Sequence, residues 1–90
     1  MLEKVKLALR ITTNAFDSEI NDLISAAKKD LEISGVIVDD KDSDPLVNRA
    51  VTTYCKANFG EPEQYDRLKA SYDEQKAQLQ IATGYTDYGE

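Results

Sequence analysis

The chain has 90 residues, 41% of them hydrophobic and 31% charged, with 17 acidic against 11 basic side chains and a formal net charge of −6. That length makes one small domain with a thin core, and that charge argues against a protein that grips nucleic acid through clustered lysines and arginines. With no histidine and one cysteine, Cys55, it lacks the commonest general base and metal ligand and has no internal disulfide.

Cysteine usage of this kind fits a reducing compartment. Met1 to Arg10 are charged and lack an apolar run, unlike a signal peptide, and no stretch approaches the roughly 18 apolar residues of a membrane span. Leu2, Val5 and Leu9 share one side of a helix over 2–9, too short to stand alone. Arg10 to Thr13 read as a connector. Asn14 is placed to cap a second helix over 15–34, with Asp17 in the partner position of a capping box. Phe16, Ile20, Leu23, Ile24, Ala27 and Leu31 follow the helical period. Asp17, Glu19 and Asp22 sit early and Lys28 and Lys29 late, as the helix dipole favours. Gly35 ends this helix.

Val36-Ile37-Val38 has two readings: an extended segment lying across the bundle, or a short strand pairing with another chain. The first is preferred, because three residues make no stable sheet alone. Asp39 to Ser43 form a solvated acidic loop. The third helix, 45–59, has both ends written in. Ser43 or Asp44 caps it, Pro45 fits its first position, and Gly60 is expected to close it in a left-handed conformation. Leu46/Val47, Ala50/Val51, Tyr54/Cys55 and Phe59 give it a wide apolar face. The fourth helix, 62–81, starts at Pro62. Its stripe of Tyr65, Leu68, Tyr72, Leu79 and Ala82 is narrower and is interrupted by Gln75. Gly84 breaks it, and Tyr85 to Glu90 have no period.

The expected architecture is therefore all-α, a small bundle of four helices over 2–9, 15–34, 45–59 and 62–81. Residues 1–81 make the domain and 82–90 a C-terminal tail, disordered alone. The expected core is Val5, Leu9, Phe16, Ile20, Leu23, Ile24, Ala27, Leu31, Leu46, Ala50, Val51, Tyr54, Phe59, Leu68, Tyr72 and Leu79. On that placement Phe59→Ala costs about 3–5 kcal/mol.

No motif carries a reaction. Asp40-x-Asp42-x-Asp44 opens like a calcium loop, but Pro45 stands where a glycine is needed and Val51 where a bidentate glutamate is needed. Cys55 lies on an apolar helix face without a base beside it, which suits a small buried hydrophobe. The acidic pairs lack the apolar surroundings that raise a carboxyl pKa, and the four glycines lie too far apart to cradle a phosphate. A helix-turn-helix reading fails because Asp17 and Glu19 would face DNA phosphates. Tyr65 and Tyr72 are at core spacing. Tyr85 and Tyr88 lie outside any core and have two readings, a segment received by a partner or a merely solvated end.

Met1-Leu2-Glu3, Val5-Lys6 and Leu9-Arg10-Ile11 resemble the opening of tailed-phage head–tail connector proteins, also called adaptors or head-completion proteins. So does Phe16-Asp17 through Glu19-Ile20, Asp22-Leu23-Ile24, Ala26-Ala27-Lys28 and Asp30-Leu31. The closest part runs from Asp44-Pro45-Leu46-Val47 through Arg49-Ala50-Val51 to Tyr54 and Lys56-Ala57-Asn58-Phe59-Gly60. Arg67-Leu68, Ser71-Tyr72-Asp73, Lys76 and Leu79 resemble the closing helix. The likeness spans about residues 1–81.

The resemblance implies a small helical subunit, without catalysis, cofactor or metal, that forms a ring under the portal vertex, typically of twelve copies. The ring would extend the DNA channel, let DNA pass without specific binding, and dock the next head-completion or tail protein. It also implies a virion component at the head–tail interface, assembled in the host cytoplasm. Family members grip the portal with an extended C-terminal segment, which maps partner binding here onto Gln80, Tyr85, Asp87 and Tyr88. The rival reading, from charge alone, is a small acidic regulatory or inhibitor module that mimics DNA.

Overall fold

The computed structural model describes residues 1–39 and 41–82. Four α-helices follow one another: α1 (Leu2–Leu9), α2 (Asp17–Ile33), α3 (Pro45–Phe59) and α4 (Tyr65–Ile81). Among the described residues there is no β-strand, so the expected all-α bundle is the observed fold. α3 is the hub, with α1, α2 and α4 all packing against it.

Local chemistry accounts for most helix ends. The Asp44 carboxylate accepts the amides of Leu46 (2.8 Å) and Val47 (3.3 Å) ahead of Pro45, which satisfies two donors that α3 leaves open. α2 ends at Gly35, φ 92°. The Gly35 amide donates to the Glu32 carbonyl (2.9 Å) and the Val36 amide to Leu31 (3.0 Å), the paired bonds of a Schellman close. α1 ends the same way around Arg10 at φ 60°, with Ile11 N–H donating to the Lys6 carbonyl at 2.9 Å. An arginine tolerates that backbone less well than glycine.

Three boundaries differ from the expectation. Asn14 does not cap α2: its side-chain oxygen accepts from the Lys6 ammonium at 2.9 Å, and the helix starts two residues later, at Asp17. α4 starts at Tyr65, because Pro62–Gln64 form a 3-10 turn closed by Gln64 N–H to the Glu61 carbonyl at 3.0 Å. Gly60 is not left-handed; it is extended, with φ −78° and ψ −162°. Glycine suits it for another reason, since a Cβ there would lie 2.7 Å from the Lys56 carbonyl oxygen that ends α3.

The core joins Val5, Ile20, Ile24, Ala27, Leu31, Val36, Val47, Ala50, Val51, Cys55, Tyr72 and Leu79, and Leu68 is buried too. Val36 is therefore a core residue, and it takes part in an isolated β-bridge. Leu46 is not core: it is 53% exposed, and Val47 takes the inward position. Val47, Val51 and Cys55 repeat at i, i+4 and aim at the bundle, while Leu46 sits with Arg49 along the α3–α4 groove. Phe16 is 43% exposed and meets Phe59 edge to face, centroids 5.5 Å apart. Leu9, Leu23, Tyr54 and Phe59 are half-buried against the core. Because Phe59 caps one end of the bundle rather than filling its centre, Phe59→Ala should cost about 1–2 kcal/mol in a urea melt, below the 3–5 kcal/mol of a buried phenylalanine.

Candidate interaction surfaces

Three polar clusters and one apolar end stand out, and all are held by helix packing. The first ties α2 to α4. The Tyr72 hydroxyl donates to Asp30 Oδ2 at 2.6 Å, and Lys76 Nζ donates to the same oxygen at 3.1 Å. The Lys76 ammonium also lies 5.3 Å from the Tyr72 ring centroid, and Tyr54 meets that ring edge to face at 5.2 Å. Burial alone would raise the Asp30 pKa, but the bonds from Tyr72 and Lys76 outweigh it and hold the carboxyl below its ordinary value. Burial, and then the Asp30 hydrogen bond, pushes the Tyr72 hydroxyl well up.

The second cluster organises the acidic loop. Asp42 sits at φ 54°. Its carboxylate accepts from Lys28 Nζ at 2.6 Å and from the Met1 amino group at 3.4 Å. Its carbonyl accepts from Asn48 Nδ2 at 2.7 Å. The Asp39 carboxylate accepts from the amides of Lys41 and Ser43 and from the Ser43 hydroxyl. With Asp44 capping α3, these three loop carboxylates each face donors from the chain itself. Asp40 lies outside the described residues. Among those described, no group of three or more acidic or thiol side chains is placed to hold a metal ion.

The third cluster is Lys6, almost wholly buried, with Nζ 2.8 Å from Asp17 Oδ1 and 2.9 Å from Asn14 Oδ1. It pins α1 to the start of α2.

Asp30 and Asp42 give the domain an acid limit. The Asp42 pKa is lowered chiefly by the Lys28 hydrogen bond. Each folded-state pKa is depressed, so each contributes stability that is present above the ordinary aspartate value of about 4 and is lost as pH falls through the folded value. Thermal melts from pH 6 to pH 2 should show Tm falling below about pH 4, with a shallower fall in Asp30→Asn. An unchanged slope in that variant would mean that Asp30 does not share in the acid limb.

Cys55 is fully buried, and burial pushes its thiol up to about 11, so it is held as a neutral small hydrophobe. No helix of the described residues is long and apolar enough to cross a membrane. Of the residues assigned to partner binding, Gln80 is within the described chain. Its side-chain amide donates to the Ser34 carbonyl at 2.9 Å, bridging the end of α4 to the end of α2. Tyr85, Asp87 and Tyr88 lie outside the described residues.

That bridge defines the apolar end. It sets the C-terminal ends of α2 and α4 side by side, and both present isoleucines to solvent: Ile33 is 76% exposed and Ile81 is 83% exposed. Ile37, just past α2, is half-exposed. Leu7 of α1 is a separate exposed leucine. The sequence reading did not single out these exposed positions, although a signal was present: Ile33 and Ile81 fall off the periodic stripe of their own helices, where a solvated helix ordinarily carries polar residues.

Compared with known proteins, the chain matches the family model described as phage connector protein over residues 1–86. No curated protein matches it, and no solved structure does.

Proposed function

We propose, for a chain that belongs to the phage connector protein family, that it is a head–tail connector subunit. Copies form a ring under the portal vertex, extend the DNA channel and dock the next head-completion or tail protein. The family match over nearly the whole chain carries this reading. The net charge of −6 supports it: channel walls without clustered lysine and arginine do not hold passing DNA, since grip grows with each phosphate neutralised. So does the distribution of exposed apolar residues, with Leu7 on α1 and Ile33 and Ile81 at the far ends of α2 and α4. A ring built head to tail needs two different faces on each subunit. The role is structural, without catalysis or cofactor. Residues 1–81 act as the domain, while Gln80, Tyr85, Asp87 and Tyr88 belong to the segment that reaches the portal.

Light scattering behind size exclusion, with and without the matching portal, tests the reading. A ring of about a dozen subunits, or a monomer that becomes one on the portal, is the expected result. A monomer indifferent to the portal would overturn it and favour an acidic regulatory module.

A further inference from the structure

The groove between α3 and α4 has a volume of about 350 Å³. Buried Leu79 and half-exposed Leu46 give it apolar lining. Arg49 stands one turn after Leu46 on the α3 side, and Glu74 and Gln75 line it from α4. Gln75 is the residue that interrupts the apolar stripe of α4. Its Oε1 is buried and accepts no hydrogen bond among the described residues. A buried amide oxygen without a donor is costly, and an occupant of the groove that brings a donor removes the cost. The opposite pattern stands on α1. Leu7, 80% exposed, lies one turn after Glu3 and, around the helix, between Glu3 and Lys4. Glu3, Lys4, Arg49 and Glu74 are all exposed, and none joins an ion pair among the described residues. In its own chain α1 is held away from the groove, with Val5 in the core and Lys6 bound to Asp17.

We propose that the α3–α4 groove receives α1 of a second copy of this chain, with Leu7 against Leu46 and Leu79, Glu3 paired with Arg49, and Lys4 donating to Glu74 and to the Gln75 oxygen. A lysine ammonium has three donors, enough for both acceptors. The apolar contact supplies binding, and the two charge pairs of opposite sense fix which way α1 lies in the groove. The outer side of α1 and the groove are different surfaces of one subunit, so the contact repeats head to tail. α1 has 8 residues, a helix only about 12 Å long. The contact is therefore smaller than the roughly 800 Å² per partner of a standard stable interface. A lone pair of subunits is short-lived, and a closed ring, which holds each subunit on both sides, is firmer.

This inference rests on the connector reading in one respect: a ring built head to tail needs two complementary faces on each subunit, and the groove and the outer side of α1 are assigned to that use.

Cross-linking in a mixture of two full-length variants is the test, since it traps a short-lived contact. One variant carries Ala8→Cys, beside Leu7, and the other Gln78→Cys, in the groove; both positions are exposed, and circular dichroism checks that each variant keeps its helix content. Cys55 is buried with its thiol pushed up to about 11, so it does not react. With a short bis-maleimide the mixed dimer should exceed either homodimer by about tenfold. Adding Arg49→Glu to the Gln78→Cys chain should cut the mixed product about fivefold, and adding Glu3→Arg to the Ala8→Cys chain should then restore it, because the pair is reversed in sign. A mixed product at the proportion of random pairing would overturn the proposal, as would a charge reversal that changes nothing or is not rescued. Predominance of either homodimer would mean a symmetric contact through one face and would also overturn it. The portal is absent from these mixtures. A chain that forms a ring on the portal but cross-links at random overturns the groove contact alone, and a chain that cross-links selectively but ignores the portal overturns the connector reading alone.

Discussion

Leu31→Ala should lower the unfolding free energy by about 3–4 kcal/mol, the largest effect of any single truncation in this domain. Leu31 is wholly buried and belongs to the core cluster that joins α2, Val36, α3 and α4. Its carbonyl also accepts the Val36 amide at 3.0 Å, so the turn out of α2 is built against the same residue. A domain of this size has roughly 5–15 kcal/mol in all, and each kcal/mol moves Tm by about 4–8 °C. The variant should therefore melt some 12 °C or more below the parent. Ile33→Ala, two residues away and mostly exposed, should stay within about 0.5 kcal/mol. If urea melts give the two variants similar costs, α2 is rotated from the orientation described.

Lys6→Met is the second large effect, at about 2–3 kcal/mol. Methionine keeps an unbranched apolar stem in place of the lysine methylenes, so the substitution isolates the charge. It leaves Asp17 without its ion pair at 2.8 Å and Asn14 without the donor at 2.9 Å. Removing one member of a buried pair costs more than the pair contributed, because the other charge stays behind. Asp17 keeps some contact with water, which holds the cost below the 3–5 kcal/mol of a fully enclosed pair. A double-mutant cycle with Asp17→Asn provides the check: the double variant should be more stable than the sum of single losses predicts. Strict additivity would mean that the two side chains act independently.

The connector reading and the fold were legible at different depths. The apolar period of α2 and the capped ends of α3 are properties of adjacent residues. A propagating helix and a side-chain cap need nothing from the rest of the chain, so these elements were readable from the sequence. At the start of α2 and on the inward face of α3, where the expectation missed, more distant parts of the chain had intervened. Asn14 has the right chemistry for a cap, but Lys6 claims its oxygen across eight residues. Leu46 and Val47 are equally apolar neighbours, and only the direction from which α2 and α4 approach α3 decides which points inward.

The same division holds for the surfaces. The net charge, the absence of histidine and the single cysteine are readable from sequence alone, and the expectation of a role without catalysis was drawn from them. The resemblance of its segments, taken in order, to connector proteins pointed to the family that the comparison then showed. Only the tertiary structure brought Asp30 to Tyr72 and Lys76, Ser34 to Gln80 and Lys28 to Asp42, because such pairs depend on how helices cross rather than on spacing along one of them. Those crossings also set the exposed isoleucines of α2 and α4 at one end of the bundle, beside the point from which the chain leaves α4.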